Sequence, residues 1–206
     1  MSTRKGPTPL AGSMLPYVQL EPTTWHNGGG ITREVARGTL GLADQLETVA
    51  GDDWDWRLSI ADVEADGEFS AFPGLTRILT IIRGEGLDLT IDGAMRFLEV
   101  NRALRFDGGA STSATLPRGP IKDLNLMFRS NALRAEVEFK ELIRDGRQEL
   151  GQGQLALLLR GSAEVTRAGN ERMELAELDT FFGSVSPSTL EGTGLVAIFT
   201  VRRSEG

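Results

Sequence analysis

The chain has 206 residues, a formal net charge of −7, 40% hydrophobic and 25% charged residues, and no cysteine. These values exclude disulfides and thiolate chemistry, show no basic stripe for nucleic acid, and leave no window of the roughly 18 apolar residues that a spanning helix needs. The length suits one large domain or two small ones on a shared core, with enough chain to bury that core without covalent staples.

Residues 1–15 are rich in Pro, Gly, Ser and Thr and are expected to form a loose tail. They carry basic residues but no continuous apolar run of a signal peptide, so the protein is expected in the cytoplasm. "WHNGGGITRE" (25–34) reads as a glycine turn entering a strand. Thr32 and Glu34 then share one strand face, and Ile31, Arg33 and Val35 the other. The segment 42–50, "LADQLETVA", suggests a short helix or a loop. In "WDWRLSIADV", Trp54, Trp56, Leu58 and Ile60 share one strand face, and Arg57, Ser59 and Ala61 the other. "RILTIIRG" is a compact β run closed by Gly84. "LDLTIDGAMRFL" reads as a hairpin whose Asp92-Gly93 pair supplies a type I′ turn. "FDGG" marks another turn. "KDLNLMFR" places Leu124, Leu126 and Phe128 on one face, and Asp123, Asn125, Met127 and Arg129 on the other. "LRAEVEFKEL" alternates in the same way, with Leu133, Ala135, Val137 and Phe139 inward. Short alternating runs and 25 glycines together predict an all-β chain with little helix.

A weak internal repeat accompanies this pattern. "LTIIRGEGLDLTIDG" and "LALLLRGSAEVTRAGN" both run from an apolar stretch through Arg-Gly to a turn. Gly84 to Gly161 and Gly93 to Asn170 are the same distance apart, 77 residues. Two related β units explain this. So does the general likeness of any two hairpins, and the residues alone leave both open.

Among motifs that carry chemistry, most are absent. Gly28–Gly30 lack the Gly-Lys-Ser/Thr of a phosphate loop and the spacing of a dinucleotide fingerprint. A transition-metal site wants several His or Cys, and His26 is the single histidine. No Gly-x-Ser-x-Gly elbow occurs. What remains is a set of polar residues on otherwise apolar strands. A solvent-facing sheet surface gives the same pattern, yet Met127 and Phe72 among polar groups suit a mixed pocket wall better. Arginines converging there would make the ligand a carboxylate, because Arg–carboxylate pairing is strong in a partly desolvated site.

"WHNGGGITRE", "WRLSIADVEADGEFSAFPGLTRILTIIRGEGLDLTIDG" and "LPRGPIKDLNLMFR", in that order, resemble the HutD/Ves family from about Trp25 to Arg129, and more loosely beyond. The resemblance implies a bicupin: two cupin-like β-barrel or sandwich units, the first over 16–129 with the site and the second over 130–206. It implies a protein without the usual cupin metal ligands, with Ser70–Phe72 of "FSAF" where a cupin carries His-x-His. His26 stands where the family motif reads Lys, which removes a fixed charge from that position. The HutD branch is associated with histidine utilisation as a regulatory or ligand-sensing protein. The implied ligand is a small carboxylate such as urocanate, formiminoglutamate or formylglutamate.

The resulting expectation is a metal-independent binding protein with no cofactor and no catalytic residue. Its ligand-binding residues are Asn27, Thr32, Arg33 and Glu34 from the glycine stretch, with Arg57, Ser59, Ser70, Phe72, Asp123, Asn125 and Met127. Arg57 is the expected anion partner, and Asn27 and Asn125 orient the ligand. The partner is a small organic acid, not nucleic acid or membrane, and pairing of two copies is left open. The alternative is a metal-independent cupin enzyme, an amidohydrolase or isomerase, with Glu34 or Asp123 as general base. Against it, a carboxylate beside several arginines is expected to stay ionised.

Overall fold

In the computed structural model the described residues are 8–144 and 146–204. In chain order the strands are β1 Met14–Leu15, β2 Pro22–Thr24, β3 Gly30–Leu40, β4 Leu46–Thr48, β5 Trp56–Val63, β6 Gly67–Glu68, β7 Thr76–Arg83, β8 Leu87–Ile91 and β9 Ala94–Leu98. They continue with β10 Ala103–Asp107, β11 Thr112–Thr115, β12 Ile121–Phe128, β13 Leu133–Leu142, β14 Arg147–Leu150, β15 Gln154–Thr166, β16 Arg172–Leu175, β17 Thr180–Phe182 and β18 Ser188–Arg203. The chain divides into two compact units. One holds Glu21–Glu34 and Trp56–Asn131; the other holds the described residues of Met1–Leu20, Val35–Asp55 and Ala132–Gly206.

The first unit is an open sandwich. One sheet runs β10-β7-β12-β5-β3-β2, and the other runs β6-β11-β8-β9. Ala61, Val63, Leu79, Ile81 and Ile121 from the larger sheet pack on Leu87, Leu89, Leu98 and Ala114 from the smaller one. The opposite face of the large sheet is also buried, through Leu58, Ile60, Ile78, Leu124 and Leu126. Burial on both faces accounts for the nearly continuous apolar runs of β7 and β12. The hairpin of β8 and β9 forms as its Asp92-Gly93 pair requires: Ile91 faces Ala94, and both turn residues take positive φ, 47° and 82°.

The second unit orders its strands β1-β17-β15-β18-β13, with β14 on β18 and β16 on β15. Its long strands β15 and β18 pair antiparallel; where Gly161 faces Gly194, a Cβ on either would strike the opposite backbone. The interior is apolar: Leu142, Leu150, Ala156, Leu158, Val165, Phe181, Leu190, Val196 and Ile198 form one cluster. The β13 alternation is as the sequence predicts, with Leu133 and Ala135 buried and Arg134 and Glu136 exposed.

The repeat is present in the backbone. In β7, Ile81 pairs with Asp123 and Arg83 with Lys122, so Ile82 bulges. In β15, Leu158 pairs with Val196 and Arg160 with Leu195, so Leu159 bulges at the matching position. The glycines that follow, Gly84 and Gly161, have φ of 98° and 94°, and Gly93 and Asn170 both lie in the left-handed region.

Four expectations differ from the structure. No α-helix forms over 42–50: Leu42–Asp44 is one 3₁₀ turn, interrupted by a left-handed Ala43, and Leu46–Thr48 is strand β4. Of the expected tail 1–15, residues 1–7 lie outside the described residues, but Met14 and Leu15 pair with Phe181 and Thr180. The units also differ from a simple 16–129 and 130–206 division, because Val35–Asp55 groups with the second unit. Trp54 precedes strand β5 rather than sharing its face.

Candidate functional site

The inner face of the first unit's large sheet is a ladder read from strand register. Arg57 and Arg77 flank Met127 on one rung. Ser59 and Leu79 flank Asn125 on the next, and Ala61 and Ile81 flank Asp123 on the third. Val63 and Ile121 follow, inside the apolar cluster. Same-face rungs are about 6.7 Å apart. Polar groups therefore crowd one end of the interior, and the other end is closed by hydrocarbon.

Arg57 is partly exposed and donates from Nε to Glu34 Oε2 at 2.6 Å. Arg77 is buried, with a relative exposure of 2%. Its guanidinium carbon lies 4.9 Å from the Phe69 ring centre, 5.4 Å from that of Phe106 and 5.9 Å from that of Phe72. Ring faces attract a cation, and more so once it is desolvated. Its Nη1 donates to the Ser70 carbonyl at 3.3 Å and its Nε to Asn125 Oδ1 at 3.4 Å, both long bonds to neutral acceptors. Burial lowers the Arg77 pKa to about 10; Asp123 opposes that shift and Arg57 adds to it. It remains a cation at neutral pH.

Asp123 is 1% exposed, and its Oδ2 is buried with no hydrogen-bond partner. Burial raises its pKa from 3.8 to about 7; Arg77 and Lys122 pull it down, and Asp62 pushes it further up. The expectation that nearby arginines keep such a carboxylate ionised is overturned here, because loss of water outweighs their attraction.

The sequence-predicted residues divide into three groups. Glu34, Arg57, Ser59, Asp123, Asn125 and Met127 come together on the inner face, with the Phe72 ring and the Ser70 carbonyl beside Arg77. Thr32 is occupied at the border, accepting from Trp25 Nε1 at 2.8 Å. Asn27 and Arg33 are not brought into the set. Arg33 pairs with Asp62 at 2.6 Å, and Lys122 also donates to Asp62, whose strand position faces opposite to Ala61. A one-residue step along a strand reverses the face, which is why Arg33 and Glu34 part company.

The glycine stretch serves the turn itself. Asn27 Oδ1 accepts from Gly29 N at 3.0 Å, and Gly28 N donates to the Trp25 carbonyl at 3.0 Å. The Gly29 carbonyl accepts from Glu64 and Ala65. These groups satisfy each other and leave no row of N–H donors for a ligand. Gly30 must be glycine, since a Cβ would collide with the Asp62 carbonyl and the Trp25 ring. His26 is exposed. No group of three or more His, Cys, Asp or Glu among the described residues could hold a metal ion.

Sequence reasoning missed Arg77 and its aromatic neighbours Phe69 and Phe106. A signal was there: Arg77, Leu79 and Ile81 share one face of a strand that is otherwise apolar. Following the repeat, Arg77, Leu79 and Ile81 correspond to Gln154, Ala156 and Leu158. Through the pairings they correspond further, with Met127, Asn125 and Asp123 matched by Thr200, Ile198 and Val196. The second unit carries no charge at these positions: Gln154 and Thr200 stand for Arg77 and Met127, and Val196 stands for Asp123.

Comparison with known proteins agrees with this architecture. An uncharacterized 21.2 kDa protein in the hutC 3′ region of Pseudomonas putida is 36% identical over 159 residues, 75% of this chain and 77% of that one. Protein Ves of Citrobacter koseri is 35% identical over 55% of this chain and 56% of its own length. The structure of HutD from Pseudomonas fluorescens SBW25 superposes with a TM-score of 0.73 at 26% identity, covering 94% of this chain and 99% of that one. A cupin 2 conserved barrel domain protein from Leptotrichia buccalis superposes with a TM-score of 0.60 at 8% identity, covering 95% and 98% of the two chains, which shows the shared fold alone. No helix among the described residues is long and apolar enough to cross a membrane. The HutD family model matches residues 17–198, and the chain, an all-β bicupin, belongs to the HutD family.

Proposed function

We propose that the polar end of the first unit's interior binds a small carboxylate. By this reading the protein senses or buffers an intermediate of histidine degradation, such as urocanate, formiminoglutamate or formylglutamate, in the regulation of histidine utilisation. The supporting observation is the charge balance around Arg77. Arg57 has Glu34 as its counter-ion. Arg77 has neutral acceptors, three aromatic rings, and an acid that is half protonated near pH 7. A buried cation without a fixed counter-ion favours an anion that completes its donors. The names of the Pseudomonas putida and Pseudomonas fluorescens relatives connect those proteins to hut genes, and this supports the choice of acids.

Thermal-shift and calorimetric titration with these acids, with formate as the smallest carboxylate, tests the reading. A ligand at about 100 times its Kd adds about 2.7 kcal/mol of stability. No shift with any acid would overturn the proposal. A second reading is favoured by Asp123 alone: a carboxyl near neutrality suits proton transfer, so a metal-independent amidohydrolase or isomerase is the alternative. Following the bound acid by NMR separates the two. Turnover that Asp123→Asn abolishes supports the enzyme, and an unchanged ligand supports binding alone.

A further inference from the structure

Asp123 lies on the third rung, deeper than Arg57 and Arg77 on the first. Arg77 reaches back to Asn125 on the second rung and gives no hydrogen bond to Asp123 Oδ2. Around Asp123 the interior is lined mainly by hydrocarbon. Its rung neighbours are Ala61 and Ile81, and the facing sheet contributes Leu87, Leu89, Leu98 and Ala114. Lys122, next in sequence, turns to Asp62 on the other face. On the inner face, Arg57, Glu34, Arg77 and Asn125 each have a partner, whereas Asp123 Oδ2 has none.

A buried oxygen without a donor is costly, and each such group in a native protein calls for a cause. The scaffold does not need an acid here, because Val196 fills the matching position of the second unit. We infer that Asp123 is the specificity residue of the site, accepting a hydrogen bond from an N–H or O–H at the end of the ligand remote from its carboxylate. This rests on the proposed binding of an acid at Arg57 and Arg77. The ligand class is thereby narrowed to short acids with two polar ends: an anion for the arginines and an amide, heteroaromatic or hydroxyl donor for Asp123. A site built to receive a donor rejects an analogue that lacks one, since the analogue leaves the buried acceptor unpaired.

Two pairs of acids of similar shape test this by calorimetry at neutral pH: 4-hydroxybutyrate against pentanoate, and imidazol-4-ylacetate against thiophen-3-ylacetate. The wild-type protein is expected to bind the donor-bearing member at least tenfold more tightly in each pair. Asp123→Val is expected to weaken the donor-bearing acids tenfold or more while leaving pentanoate unchanged or tighter. Equal affinity within both pairs, or a preference that survives Asp123→Val, overturns the inference while the anion site stands. Failure of all four acids to bind removes the anion site and the inference with it. The wild-type comparison stands by itself should the valine variant not fold.

Discussion

Arg77 and Gln154 hold one position in the two halves of a duplicated chain: Arg77 faces Met127 across its strand pair, and Gln154 faces Thr200. Gln154 donates to Thr200 Oγ1 at 3.3 Å, a neutral solution to the same place in the fold. Arg77→Gln therefore imitates a side chain the architecture already accommodates. The variant is expected to fold with a Tm within a few degrees of wild type. Carboxylate binding should fall at least tenfold, in line with the roughly 2–5 kcal/mol that follows truncation of a buried charged partner. Calorimetric titration with formate and with urocanate reads this directly, and undiminished affinity would remove Arg77 from the site.

Glu34 competes with any incoming anion for Arg57, since its Oε2 already takes the Nε donor at 2.6 Å. Glu34→Gln is expected to tighten carboxylate binding several-fold. It should also destabilise the free protein by about 1 kcal/mol, a typical value for a hydrogen bond involving a charged group that is only partly lost. Opposite signs in the two measurements are the expected signature; a loss of both affinity and stability would contradict competition.

Asp123 makes stability depend on pH in an identifiable window. Its folded value, about 7, lies above its ordinary 3.8. Between these values the unfolded chain has lost the proton and the folded chain keeps it, so stability falls as pH rises from about 4 to about 7 and is level beyond. Asp123→Asn removes this component. The variant should gain on wild type steadily across that window, by on the order of 2–4 kcal/mol at pH 8 relative to pH 4. Denaturant titrations at pH 4.5, 6 and 8 measure the gap, and parallel curves for the two proteins would refute the assignment.

Within the glycine stretch the structure separates scaffold from ornament. Gly30→Ala places a methyl group against the Asp62 carbonyl and the Trp25 ring, and a forced overpacking of this kind costs about 1–3 kcal/mol. His26 is exposed, and His26→Ala should leave both stability and acid binding within error of wild type. A thermal melt of each variant decides, and a large effect at His26 would return that residue to consideration.

Strand alternation was legible in the sequence wherever one residue type kept to one face. The β12 pattern put Asp123, Asn125 and Met127 on the inner side, and their register with Arg57 and Ser59 assembled most of the site. The Asp92-Gly93 turn was legible because its chemistry is local. The central part of the site, Arg77, was not. One cation at the start of an apolar strand looks like a strand end, and only the pairing with Met127 turns it inward. The glycine stretch misled in the other direction, because close approach of backbone to a side chain and to a ligand leave the same mark in sequence. The protonation of Asp123 depended on burial, a property of the whole unit that no spacing records.

Strand β3 belongs to two bodies at once: Gly30–Glu34 lie in the unit with the polar interior, Val35–Leu40 in the other. Neither body can therefore be cut from the gene as one contiguous piece. A break after Asn131 would strand Val35–Asp55 on a fragment without the Ala132–Gly206 portion of its unit. The same fragment would hold the whole of the body with the polar interior, so expressing that body alone means joining Glu34 to Trp56 across the excised Val35–Asp55.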